Sequence, residues 1–189
     1  MSIYTKTGDT GETSLGNGRR VLKCDKIIEA LGVIDELNAV IGVIKSQNSK
    51  LKAQNYNVKL KSLNQIQKDL FLIGVLVCKA KSGEQEIKIA KKLKNHVRTL
   101  EKEIDAMSAK LTPLNHFILP GGSDIGACVH MARAVCRRAE RRVVALQEIL
   151  SIYGGGTVLI YMNRLSDFLF VLARWANHQR GVPDVLWRQ

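Results

Sequence analysis

Arg133, Arg137, Glu140 and Arg141 follow one another at steps of four, three and one, so a helix places all four on a single face. Around them the sequence reads ACVHMARAVCRRAERRVVAL, which is otherwise small or aliphatic and must pack against neighbours. An arginine face on a packed helix costs stability unless something anionic meets it. The planar guanidinium fork matches phosphate oxygens, and several forks together suit a polyphosphate. The competing reading of the same pattern is a surface helix salt-bridged to its neighbours, with Glu140 and Asp35 neutralising part of the charge.

A second group of candidates opens the chain. Residues 1–23, MSIYTKTGDTGETSLGNGRRVLK, carry Gly8, Gly11, Gly16 and Gly18, too many for a helix. Backbone N–H groups freed by glycines, with threonine hydroxyls and Lys6, can wrap phosphate oxygens. Neither the Walker spacing nor GxGxxG is present, because Gly16-Asn17-Gly18 runs into Arg19-Arg20-Val21. Asn163, Arg164, Ser166 and Asp167 sit among apolar residues and suit either a ligand contact or a hydrogen-bond network that fixes helix register. The four histidines, His96, His116, His130 and His178, form no catalytic constellation with Ser or Cys. None has an acid three residues before it, which removes the Glu-x-x-His ligands of a di-iron bundle. Cys24, Cys78, Cys128 and Cys136 contain no CxxC pair and read as reduced thiols.

Helices must position these groups. The first spans roughly 25–47, with Ile27, Leu31, Ile34, Leu37, Ile41 and Ile44 as its stripe. A polar loop, 48–57, leads to a second helix over roughly 58–79, on Leu60, Leu63, Ile66, Leu70, Ile73 and Val77. A third, roughly 85–111, repeats Ala90, Leu93, Val97, Leu100, Ile104, Met107 and Leu111 as heptads. Pro120-Gly121-Gly122 breaks the pattern, and Ser123 is placed to cap a fourth helix over roughly 124–151. Gly154-Gly155-Gly156 ends it, and Thr157 is placed to cap a fifth over roughly 158–180. Strand signals are weak. Long amphipathic helices with short connections predict an all-α, five-helix antiparallel bundle, ferritin-like and up-down, as one domain over 1–189, with a nucleotide-binding segment at 1–23 and the bundle at 25–180.

The chain has 189 residues, 46% hydrophobic and 5% aromatic, so aliphatic side chains fill the core of a single domain. The net charge of +12 favours anionic partners. A nucleic-acid module would interleave exposed arginines with aromatics, whereas the fourth helix reads as packed and poor in aromatics, which argues against nucleic acid. The N-terminus lacks a signal-peptide core, and no run of 18 apolar residues occurs, so a cytoplasmic protein without a membrane partner is expected.

Five segments, in order, give the chain a resemblance. Tyr4-Thr5-Lys6-Thr7-Gly8-Asp9-Thr10-Gly11, Asp35-Glu36-Leu37-Asn38, Phe117-Ile118-Leu119-Pro120-Gly121-Gly122, Cys136-Arg137-Arg138-Ala139-Glu140-Arg141 and Asn163-Arg164-Leu165-Ser166-Asp167 are similar to the signatures of PduO-type ATP:cob(I)alamin adenosyltransferases, from residue 3 to about 180. The resemblance implies a homotrimer with active sites between subunits. It implies that Thr5, Lys6, Thr7, Gly8, Thr13, Ser14 and Lys23 bind ATP from one side, and Arg137, Arg138, Ala139, Glu140, Arg141 and Asn163 from the other. Asp35 is expected to pair with Arg137 across the interface, and Phe117 to lie under the lower face of the corrinoid. Arg137, Asp35 and Phe117 are thus the expected catalytic residues. ATP and cobalamin are the implied substrates, with Mg²⁺ on the phosphates, and a corrinoid reductase and a B12-dependent enzyme are implied further partners. The implied reaction is attack of Co(I) on the 5′ carbon of ATP with release of triphosphate. From the residues alone, another ATP-dependent nucleotide or phosphoryl-transfer enzyme on a helical bundle is the alternative.

Overall fold

The computed structural model describes residues 3–49, 54–78, 83–147 and 155–188. The expected helix ends at Lys79 and Ser151, and Gly154, fall outside these ranges. Five helices form: α1 (Lys26–Ser49), α2 (Gln54–Cys78), α3 (Glu84–Ser108), α4 (Asp124–Gln147) and α5 (Gly155–His178).

Side-chain caps set two of the starts. Asp25 Oδ1 accepts the Ile27 N–H at 2.8 Å at the start of α1. Ser123 caps α4 as expected, its hydroxyl accepting the Gly126 N–H at 3.1 Å. Thr157 does not cap α5, because the helix starts at Gly155 and holds Thr157 in its first turn. α3 stops at Ser108, so the expected heptad position Leu111 lies in the loop beyond it. α5 ends in a Schellman turn: Gly181 takes φ 66°, the Gly181 N–H reaches His178 O, and the Val182 N–H reaches Asn177 O.

The apolar stripes meet in one core. Ile34, Leu37, Ile41 and Ile44 of α1, Leu70 and Ile73 of α2, Leu93 of α3, Val129 and Val143 of α4, and Tyr161 and Phe168 of α5 are all buried. Around it the helices run in the ring order α1, α2, α3, α5, α4. Side-chain pairs give their directions. Ser62–Glu103 and Asp69–His96 make α2 and α3 antiparallel. Glu29–Arg142 and Glu36–Arg138 do the same for α1 and α4. Glu101–Arg164 and Thr112–Arg174 make α3 and α5 parallel. A closed ring of five alternating helices must contain one parallel pair, and here it is α3 with α5. Among the described residues, 156–178 matches a membrane span in length and hydropathy, beyond the sequence expectation, yet Tyr161, Met162, Leu165, Phe168, Leu169 and Ala173 on it are fully buried in the bundle.

The N-terminal segment departs from the expectation. It contains an antiparallel hairpin, β1 (Glu12–Ser14) with β2 (Arg20–Leu22). Leu15 N–H donates to Arg19 O and Gly18 N–H to Leu15 O, both at 2.8 Å, closing a Gly16-Asn17-Gly18 loop. Gly18 holds φ 83° there, a conformation that needs glycine at a bulged hairpin turn. Leu15 and Val21 bury against the bundle.

Candidate functional site

The up-down order decides which functional groups share an end. α1 starts, α2 ends and α3 starts at one end, and the hairpin tip sits there, with Gly16 and Cys78 lining one groove. α3 and α5 end and α4 starts at the other, which therefore carries the loop between Leu111 and Ser123 with Phe117. At 1.5 Å per residue, a 24-residue helix such as α4 separates the two ends by roughly 35 Å.

At the hairpin end the residues expected to hold phosphate lie close together. Lys6 takes φ 59°, unusual for a residue with a side chain. The Thr5 and Thr7 hydroxyls lie 2.8 Å apart. Arg20, which sequence reasoning did not single out, donates to Thr7 O at 2.8 Å and pairs with Glu12 at 3.3 Å, fastening the loop to the hairpin. The Lys23 ammonium lies over Gly8, where an added Cβ would sit 3.3 Å from Nζ, so glycine lets backbone and cation approach together. Thr13 and Ser14 lie on β1 beside them.

The expected second half lies along α4 and α5. Arg137 and Arg141 are exposed, not packed, and among the described residues neither has an ion-pair partner. Asn163 donates to Glu140 at 3.4 Å, which brings these two residues together. Arg138 turns the other way and pairs with Glu36 of α1. Ala139 is fully buried between α4 and its neighbours, so its side chain belongs to the core and reaches no ligand. Arg164 joins Glu101 of α3 and Asp167, which makes that part of the α5 motif structural. Asp35 is exposed in a groove between α1 and α2 of about 510 Å³, beside Leu31, Asn38, Gly74, Val75 and a largely exposed Phe71. Within the chain no bond joins Asp35 to Arg137 among the described residues.

Phe117 is 80% exposed and lines a cavity of about 950 Å³ with His116, Arg133, Phe170, Trp187 and Arg188. A cavity of that size admits a large ligand, and its aromatic walls suit a flat, apolar one. Arg133 sits 5.9 Å from the Phe170 ring centre; its Nε is buried without a partner among the described residues, and burial, then Arg137, holds its pKa down. Trp187 meets Phe117 edge-on, with ring centres 6.4 Å apart. The C-terminal tail was not legible in the sequence; here it pairs Ile118 with Leu186 and walls the cavity. Among the described residues no three His, Cys, Asp or Glu side chains converge to hold a metal.

A helical bundle with a glycine-rich, lysine-bearing loop at one end, exposed arginines along one side and an aromatic cavity at the other end has the parts that a nucleotide-binding transferase needs. The chain belongs to the cobalamin adenosyltransferase family, whose model matches residues 3–176. It is 42% identical to the corrinoid adenosyltransferase of Bacillus subtilis, covering 98% of this chain and 91% of that one. It is 38% identical to the corrinoid adenosyltransferase of Bos taurus, covering 99% of this chain and 76% of that one. Among solved structures, a variant of the PduO-type ATP:corrinoid adenosyltransferase from Lactobacillus reuteri, complexed with cobalamin and ATP, superposes with a TM-score of 0.88 at 34% identity, covering 100% of this chain and 97% of that one.

Proposed function

We propose that the chain transfers the 5′-deoxyadenosyl group of ATP to the cobalt of cob(I)alamin, in a site shared between two copies. The carrying observation is the separation of the cradle and the Phe117 cavity by the length of the bundle. The 5′ carbon of ATP must come within bonding distance of cobalt, and one chain holds its two sites too far apart. A homotrimer in which the cradle of one copy faces α4 of the next brings them together. Asp35, exposed and without an ion-pair partner among the described residues, then meets the arginine face of the neighbouring α4.

In this reading Co(I) supplies an electron pair to the 5′ carbon. A Co–C bond forms, the C5′–O bond breaks, and triphosphate leaves with that bond's electrons. The reactive atom belongs to the substrate, so the protein supplies position and electrostatics. Thr5, Lys6, Thr7, Gly8, Thr13, Ser14 and Lys23 hold the nucleotide; Arg137 and Arg141 meet the charge that grows on the triphosphate. Glu140 and Asn163 complete the wall. Mg²⁺ would accompany the phosphates and neutralise part of their charge. Phe117 excludes a lower axial ligand from cobalt, which eases reduction to Co(I). The protein is cytoplasmic, and a corrinoid reductase and a B12-dependent enzyme are its functional partners.

The test is protein, MgATP and chemically reduced cobalamin in one cuvette, following loss of the Co(I) spectrum and the phosphate product. Adenosylcobalamin with triphosphate is expected; ADP or phosphate instead would establish phosphoryl transfer. Arg137→Ala is expected to lower kcat/KM by about a hundredfold or more, and a wild-type rate would remove the arginine face from the mechanism.

A further inference from the structure

Arg174, on the last turns of α5, is buried although charged. Its guanidinium makes two bonds in different directions. Nε donates to Asp184 of the C-terminal tail at 2.8 Å, and Nη2 donates to Thr112 O at the start of the Phe117 loop at 2.7 Å. Five residues on from Thr112, the loop and the tail become a short ladder. Leu119 N–H donates to Val185 O and Trp187 N–H to Phe117 O, both at 2.8 Å. The backbone of Phe117 is therefore held by the tail, and the tail is held by Arg174. The side chain of Phe117 itself is exposed and meets Trp187 edge-on.

We propose that Arg174 is a positioning residue for Phe117, acting through Asp184 and Thr112 to strap the C-terminal tail across the loop that forms the floor of the aromatic cavity. A buried arginine with a two-directional fork is suited to this, since lysine cannot satisfy an acid and a carbonyl in one fixed plane. Loss of either bond leaves a desolvated partner behind, which favours release of the tail over retention of a half-made clamp. The inference rests on the role of Phe117 proposed above.

The experiment uses the full chain and the variants Arg174→Gln, Arg174→Lys, Asp184→Asn and Phe117→Ala. Hydrogen exchange at the Leu119 and Trp187 amides reports the strap without any substrate. It is expected to speed up about tenfold or more in Arg174→Gln and Asp184→Asn, with α5 core amides unchanged and Arg174→Lys between. The spectrum of cob(II)alamin with ATP then reports loss of the lower ligand, and the same variants are expected to show a smaller ligand-free fraction. KM for ATP is expected to stay within about twofold, because none of the residues assigned to the nucleotide lies on the Phe117 loop or the tail. Unchanged exchange would overturn the strap. Faster exchange with a wild-type spectrum, while Phe117→Ala alters that spectrum, would overturn positioning and leave the role of Phe117 intact. A wild-type spectrum in Phe117→Ala would overturn that role and this inference with it. Asp184→Asn, on the more accessible partner, decides the matter if Arg174→Gln fails to fold.

Discussion

Asn177 Oδ1 accepts two hydrogen bonds from Ser123, one from the backbone N–H at 2.9 Å and one from the hydroxyl at 2.8 Å. The same amide donates from Nδ2 to Gly121 O at 2.9 Å. One side chain near the end of α5 thereby grips the residue that caps α4 and the loop before it. Gly122 and Gly126 lack side chains for a related reason: a Cβ at either position would overlap the Asn177 amide. Gly122 also holds φ 103°. The fit fixes where the Phe117 loop joins the bundle.

Truncation of the amide, Asn177→Ala, strands the Ser123 N–H and the Gly121 carbonyl in a buried place and is expected to cost about 2–4 kcal/mol. Gly126→Ala is expected to cost about 1–3 kcal/mol from overlap. The double variant should be more stable than the sum of the two, since the overlap vanishes with the amide. Urea unfolding of the set measures this, and strict additivity would show that Asn177 is not what excludes a side chain at position 126.

The apolar stripes of α1 and α2 and the Ser123 cap were legible because each follows from residues three or four apart. The Asn177 and Arg174 clamps were not, because Ser123, Gly121 and Thr112 lie more than fifty residues from them, Asp184 lies ten residues on in a tail without periodicity, and neither residue carries a motif. The hairpin was missed because each strand is three residues, too short for alternation to register; Asn17-Gly18 was the available signal. Periodicity correctly put Arg137 and Arg141 on one face, but spacing cannot say whether a second chain covers that face. Ala139 carries the opposite lesson: its place in a motif was read as contact, and its burial shows that it lets α4 pack closely.

Asp69 is almost fully buried and accepts bonds from Gln65, Tyr161 and His96, each at 2.9 Å. It ties α2, α3 and α5 together. Tyr161→Phe removes one donor from this carboxylate and is expected to cost about 1–3 kcal/mol at neutral pH. Burial, then the Asp69 charge, pushes the Tyr161 hydroxyl well above the ordinary tyrosine range. The unfolded chain therefore loses this proton near pH 10 while the folded one keeps it, so the stabilisation falls as pH rises beyond that point. Thermal unfolding from neutral to alkaline pH checks both: Tyr161→Phe should start lower and decline less steeply.

The thiols should separate by environment. Cys24 is exposed, while Cys136 is buried with its proton held far up, by burial first and then by Glu140. Burial likewise raises Cys78. The thiolate is the reactive form, so alkylation at neutral pH is expected at Cys24 first, with Cys136 modified only on unfolding. Mass spectrometry of peptides after timed iodoacetamide treatment reads the order, and early labelling of Cys136 would contradict the packing of α4 against α5.

His130 gives the chain an acid-sensitive point. Its ring is buried, meets Phe170 edge-on at 6.1 Å between centres, and among the described residues neither nitrogen has a hydrogen-bond partner. Burial and then the Arg133 charge depress its pKa, while Asp184 opposes them more weakly. The folded ring therefore stays neutral at pH values where the unfolded one takes up a proton. The unfolded state binds more protons below about pH 6.5, so stability is present above that value and falls as pH drops toward the depressed folded pKa. His130→Leu breaks no hydrogen bond and keeps an apolar side chain against Phe170, so it is expected to change stability at pH 8 by less than about 1.5 kcal/mol. Between pH 6.5 and 5 its stability should fall less steeply than that of the parent. Urea midpoints at half-unit pH steps compare the two slopes; if they coincide, His130 is protonated as readily in the fold as outside it, and the acid sensitivity belongs to other groups.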